Sequence, residues 1–162
     1  MRAYSKDTNA DFTCKQCGFL VSVDRAASGV INRNHCPYCL YSRHVDLHRA
    51  GDRLCACKGL MKPVGITIKN SRDKYAIMQK GELMLVHRCT SCSRLSINRV
   101  AADDDPTKLL AVFKSSASDV QHIQHICQEQ DITLLKRSDN SLMHTRLFGN
   151  PSGEPLKPVP VH

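Results

Sequence analysis

The chain has 162 residues, a mass of 18.1 kDa, a formal net charge of +8, nine cysteines and no Trp, with aromatic residues at only 5%. That is too little chain for a large single-core enzyme, and with so few aromatics apolar burial needs help from covalent or metal staples. The opening MRAYSKDTNADF offers no apolar secretory run, and no segment approaches the roughly 20 apolar residues of a membrane span, so the expectation is a cytoplasmic protein with no membrane partner.

In a reducing compartment closely spaced cysteines read as thiolate ligands rather than bridges. The charge is also uneven. Residues 1–100 carry 17 Lys/Arg against 7 Asp/Glu, whereas 101–162 carry 6 against 8. A basic front suits a polyanion such as RNA, and a mildly acidic rear suits a protein partner or none.

The first motif is Cys14-Lys-Gln-Cys17, then 18 residues, then Cys36-Pro-Tyr-Cys39. Two-residue spacers let both sulfurs of a tight turn point at one ion, and four thiolates complete the tetrahedron Zn²⁺ prefers. Gly18 and Pro37 supply the turn geometry. The insert from Gly18 to His35 carries short apolar patches around Ser28-Gly29 and reads as a loop or short hairpin.

The second motif is Cys55-Ala-Cys57, then 31 residues, then Cys89-Thr-Ser-Cys92. A one-residue spacer hinders two sulfurs from sharing an ion. Cys57, Cys89 and Cys92 are therefore the ligands, with the fourth either Cys55 or, as the alternative, His87. Two Zn²⁺ ions are expected, one per motif. Between the motifs the strand-like runs are Val64–Lys69 and Glu82–Arg88, separated by a polar turn from Asn70 to Lys74. Leu95 and Ile97 alternate with Ser96 and Asn98 as in a half-buried strand, so three antiparallel strands carrying two knuckles make a zinc ribbon.

Ala101-Ala-Asp-Asp-Asp-Pro106 opens a helix whose stripe is Leu109, Leu110 and Phe113. Ser118-Asp-Val-Gln121 has the form of a capping box for a second helix ending near Gln130, in which Cys127 is a buried small hydrophobe. His122 and His125 lie on its opposite face and read as solvated. Ile132–Leu135 is strand-like, and Gly149 to His162, with four prolines, reads as a flexible tail.

The fold class expected is α+β: a first zinc-knuckle module over 10–50, a second zinc-ribbon or treble-clef-like module over 51–114, a helix-strand appendage forming a separate layer over 115–148, and a tail over 149–162.

Arg33-Asn-His-Cys-Pro37 and its continuation to Asp46 resemble the motif of the RNHCP domain family. Gly51-Asp-Arg53, Gly59-Leu-Met-Lys-Pro63, His87-Arg-Cys-Thr-Ser-Cys92 and Asn98-Arg-Val-Ala-Ala-Asp-Asp104 are similar to it as well, over roughly residues 10–112. The resemblance implies a small zinc-binding protein without an assigned reaction, whose relatives commonly carry one cysteine before the Gly-Leu-Met segment where this chain has two.

Around the first motif Arg25, Arg33, Arg43 and His44 accompany Tyr38 and Tyr41, a mixture in which guanidinium groups hold phosphates and rings stack on unpaired bases. The tyrosines serve that role or shield and pack the modules. His35 and His44 serve as donors to the thiolates or backbone, or as phosphate contacts. Around the second motif, Arg88, Arg94, Asn98 and Arg99 border the knuckle, with Arg94, Ser96 and Asn98 on one open strand face. These residues predict a non-enzymatic RNA-binding protein associated with the ribosome, contacting ribosomal RNA. The alternatives are a DNA-binding or transcription-associated ribbon and, behind it, a zinc hydrolase or redox enzyme, for which no general base stands near the metal motifs.

Overall fold

The computed structural model describes residues 10–69, 81–118 and 120–149, with the side chains of 117–122 outside that description. The polar turn at 70–74, the capping box at 118–121, His122 and the tail beyond Gly149 fall outside the described residues or side chains.

A two-stranded ribbon opens the chain. Strand β1 (Phe12–Thr13) pairs antiparallel with β2 (Leu20–Val21), in the register Phe12 to Val21. Instead of continuing as a hairpin, the insert turns through a four-residue helix, α1 (Arg25–Ser28). The Asp24 carboxylate accepts from the Ala26 N–H at 3.0 Å at its start, and Gly29 at φ +70° ends it, the two caps such a short helix needs.

The central sheet has the order β3-β4-β5-β6, all antiparallel: β3 (Ser42–Arg43), β4 (Leu60–Lys69), β5 (Glu82–Cys89) and β6 (Leu95–Arg99). The three expected strands are present. The fourth comes from the first module, because Ser42 pairs with Met61 and Arg43 with Leu60. The sheet thus spans the anticipated boundary at residue 50, and the modules share backbone hydrogen bonds.

β5 is buried along both faces from Leu83 to His87, as a strand covered on two sides must be. On one face Leu83 and Leu85 join Ile66, Leu40, Leu109, Phe113 and Met143 in the main core. On the other, Val86 packs with Cys127 and Leu134. Helix α2 (Pro106–Ser118) supplies Leu109 and Phe113, and the Asp105 carboxylate caps it through the Thr107 and Lys108 amides at 2.8 and 3.3 Å. Helix α3 (Val120–Gln128) supplies Cys127, buried as a small hydrophobe.

The C-terminal segment departs from expectation. Only Leu134 forms a strand-like bridge, to Thr67, supported by the Leu135 N–H donating to the Ile66 carbonyl at 2.8 Å. The chain then makes a 3-10 turn (Arg137–Asp139) and a further helix, α4 (Asn140–Phe148), closed by Gly149 at φ +75°. α4 lacks a strong apolar stripe, which hid it in the sequence. It is nonetheless part of the core through fully buried Met143, so this segment is no separate layer.

Candidate metal centres

Among the described residues, three turns share one geometry. The Cys14 N–H donates to the Phe19 carbonyl at 2.8 Å and the Gly18 N–H to the Cys14 carbonyl at 2.9 Å. Cys36 and Leu40 repeat this with the Tyr41 and Cys36 carbonyls, and Cys89 and Ser93 with the Arg94 and Cys89 carbonyls. The residue after the second cysteine is left-handed each time: Gly18 at φ 77°, Leu40 at 62° and Ser93 at 61°. Glycine reaches that conformation freely, whereas a bulky Leu there is strained. The strain at Leu40 is held by tertiary bonds: its side chain is fully buried, and its carbonyl receives the His87 Nε2–H at 2.7 Å.

Two of these turns face each other, bringing Cys14, Cys17, Cys36 and Cys39 together with all ligand atoms within 4.8 Å of one another. Sγ separations of 3.5 Å for Cys14–Cys39 and 3.6 Å for Cys17–Cys36 approach the roughly 3.8 Å edge of a tetrahedron with metal–sulfur bonds near 2.3 Å. Burial pushes Cys36 up to about 11 and, together with the Cys14 and Cys17 thiols, also raises Cys39. Burial opposes ionisation of Cys14 too, yet the Cys17 and Gln16 amides bring its pKa below the usual thiol value. Such a set cannot hold four thiolates without a cation among them, and a divalent ion supplies that charge.

The second centre assembles His44, Cys57, Cys89 and Cys92, again within 4.8 Å. Cys57 and Cys89 sulfurs are 3.7 Å apart, and the Cys92 sulfur is 3.2 Å from His44 Nδ1. Burial works against the Cys89 thiolate, but the Cys92 and Ser91 amides and the His44 ring bring its pKa to about 6. The fourth position belongs to His44 rather than to Cys55 or His87. Cys55 is buried, its N–H bonded to the Val45 carbonyl at 2.9 Å, and its sulfur stands outside the group. His87 is committed to the Leu40 carbonyl through Nε2 and to the Asn98 amide, 2.9 Å from Nδ1.

His44 reaches the site because β3 pairs with β4: its N–H donates to the Gly59 carbonyl at 2.9 Å, and the Lys58 N–H donates to its own carbonyl at 3.0 Å. Gly59 sits so close that a Cβ would stand 2.6 Å from Ser91 Oγ and 2.8 Å from the Cys89 sulfur. The one-residue spacer in Cys55-Ala-Cys57 was the available hint that this motif lacked a ligand, and His44, one step beyond β3, was the nearest histidine on the partner strand.

Of the residues expected to contact nucleic acid, several have other duties. Arg33 is 1% exposed and bonds Asp103 at 2.7 Å and Asp104 at 3.3 Å, while His35 Nε2 lies 2.9 Å from both Asp104 oxygens. His44 is a ligand. Asn98 turns inward to His87, and Ser96 Oγ to Met61 sulfur at 3.5 Å, so these two side chains are half-buried and bonded within the protein, while Arg94 on the same strand is exposed. Arg99 pairs with Glu82 at 2.8 Å. Arg25, Arg94 and Tyr38 are exposed, whereas Tyr41, Arg43 and Arg88 are half-buried. His125 is exposed, with Nδ1 3.6 Å from Glu129.

The RNHCP domain model matches residues 9–110, which take in both centres and the Arg33–Asp104 network. The chain belongs to the RNHCP domain family. No curated protein and no solved structure matches it. The RNHCP match ends within α2, so α3 and α4 lie beyond it, although Met143 and Cys127 complete the core under the family's sheet. The family's naming residues Arg33 to Pro37 hold one member of the first donor group, Cys36, framed by a buried cation, a buried imidazole and a turn-forming proline. Among the described residues, no helix is long and apolar enough to cross a membrane.

Proposed function

We propose that the protein holds two Zn²⁺ ions and binds RNA without catalysing a reaction, with ribosomal RNA in the cytoplasm as its target. Thiolate-rich, tetrahedral donor sets favour zinc among the common divalent ions. Each centre has four protein ligands, the closed arrangement of a structural site, and zinc at each stabilises the fold by on the order of 10 kcal/mol.

The observation that carries the RNA reading is the pairing of Lys62 directly across from Arg88 in β4 and β5. Like charges in cross-strand register repel; Arg88 donates from Nη2 to Ser93 Oγ at 3.4 Å, but among the described residues neither it nor Lys62 is paired with a carboxylate. Arg43, Lys58 and Arg94 stand beside the second centre within two residues of a ligand, and the segments 53–72 and 83–102 contain no Asp or Glu. One zinc with three thiolates leaves a single negative charge against these cations. A phosphate backbone supplies the missing anions, with counterion release as the driving force.

Ribosomal RNA is the most abundant polyanion to which such a compact basic module has access. Sedimentation of cell lysate through sucrose gradients tests this. The protein should travel with ribosomal particles at low salt and leave them at high salt, and its confinement to free fractions at low salt would overturn the ribosomal assignment.

A further inference from the structure

The first centre carries a feature that the basic surface does not use. Phe19 and Tyr38, one from each of its two turns, bring their ring centroids to 5.1 Å at an interplanar angle of 47°, yet Phe19 remains 60% exposed and Tyr38 52%. The chain has four Phe, four Tyr and no Trp. Holding two of its few rings in solvent forgoes burial that the core could use, and a contiguous exposed aromatic pair marks an interaction site.

The backbone that carries each ring is part of a cysteine turn. The Phe19 carbonyl is tied to the Cys14 N–H, and Tyr38 lies between Cys36 and Cys39, so a metal that joins the turns also sets these two backbones relative to each other. The small core of this module is made by Val21 and Phe12 packed on the cysteines, without Phe19.

The surroundings select the ligand. Lys15, in the first turn, is exposed, and the segments 12–23 and 25–45 contain no Asp or Glu. The carboxylates near the two turns are already engaged: Asp11 accepts from the Val23 N–H at 2.9 Å, Asp24 caps α1, Asp103 and Asp104 hold Arg33, and Asp105, whose N–H donates to the Pro37 carbonyl at 3.0 Å, caps α2. A flat apolar surface with an exposed cation in the adjoining turn fits a planar ligand that carries an anionic group for Lys15 to meet.

We infer that Phe19 and Tyr38 form a stacking platform for an unpaired nucleobase of the bound RNA, with Lys15 at the adjoining phosphate. The inference rests on the RNA reading above and names the part of the RNA, a single-stranded loop or bulge, that the first module takes. It also gives the two centres separate tasks, base stacking at the first and backbone neutralisation at the second.

The test uses full-length, metal-loaded protein and two fluorescently labelled RNAs, a stem with an unpaired loop and the same stem as a continuous duplex. The wild type should prefer the looped RNA. F19A/Y38A should lose roughly 5- to 150-fold on the looped RNA, the range expected of one stacked base, while keeping its duplex affinity and its metal content. F19L/Y38L, which restores apolar bulk without a flat ring, should behave like the alanine variant. Wild-type affinity of F19A/Y38A for the looped RNA overturns the platform and leaves the RNA reading standing. Rescue by F19L/Y38L also overturns it, in favour of an apolar peptide contact. Failure of the wild type to bind either RNA overturns both.

Discussion

Arg33 and Asp104, 71 positions apart, meet inside the protein, where the Arg33 Nη2 donates to Asp104 Oδ1 at 3.3 Å and both side chains are almost wholly removed from solvent. The same carboxylate accepts the Ala101 N–H at 2.8 Å and lies 2.9 Å from His35 Nε2. Arg33 also donates from Nε to the His35 carbonyl at 3.2 Å and from Nη1 to Asp103 at 2.7 Å. The network clamps the turn bearing Cys36 onto the segment leading into α2, so the first centre is anchored to the main core by charge.

A buried cation whose partners are all made is worth most when one partner is removed. Arg33→Ala, which leaves Asp104 buried with a reduced complement of donors, should destabilise the metal-loaded protein by about 3–5 kcal/mol in urea unfolding. Arg33→Lys should recover only part of this, because an ammonium cannot reproduce the guanidinium fork. Asp103→Asn should have a much smaller effect, since Asp103 is 36% exposed and Asp104 retains Arg33.

The geometry brings His44, and not Cys55, to the three thiols of the second centre. Metal analysis by mass spectrometry of the purified protein should give two zinc per chain for the wild type and for Cys55→Ser, and one for His44→Ala and Cys57→Ser. His44→Cys should return to two. A Cys55→Ser protein with one zinc would reverse the ligand assignment.

Helix α4 belongs to the folding unit. Met143 is fully buried against Leu40, Ile66 and Phe113, so Met143→Ala should lower unfolding stability by about 2–5 kcal/mol with both metals retained. A change below about 0.5 kcal/mol would mean that α4 is not packed on the sheet.

His87 links stability to pH. Burial above all, and then the nearby His35 ring, hold its pKa down to about 3, against the pull of the Leu40 carbonyl. An unfolded histidine titrates near 6.5, so the folded protein favours the neutral ring. The resulting stability is complete above pH 6.5 and is lost as pH falls from there toward 3. Between pH 7 and 5 the wild type should lose about 2 kcal/mol more than His87→Gln, measured by urea unfolding of the two metal-loaded proteins, which share the acid sensitivity of their thiolates. Parallel pH curves would contradict the buried neutral ring.

Much of this architecture was legible in the chain. The cysteine spacings located the metal-binding turns, and the alternation of Leu95 and Ile97 and the apolar run to Arg88 located the strands, because both patterns are local. His44 was not legible as a ligand, since only the β3–β4 pairing brings it to Cys57. Arg33 and His35 were misread because their partners, Asp103 and Asp104, lie some 70 residues on and look in sequence like an ordinary helix N-terminus. Asn98 kept its place in a strand but faced inward, as the partner of a buried histidine. α4 was hidden because one residue, Met143, supplies its buried contact.

Binding of RNA phosphates by the proposed basic face is read out by measuring affinity for a structured ribosomal RNA fragment across a range of salt concentrations. The wild type should show log Kobs falling linearly with log salt. K62E/R88E, with both metals in place, should lose affinity and flatten that slope by roughly 1.5 to 2, the loss of two phosphate contacts. A wild-type affinity that does not respond to salt, or a slope that K62E/R88E leaves unchanged, would rule out phosphate binding by this face.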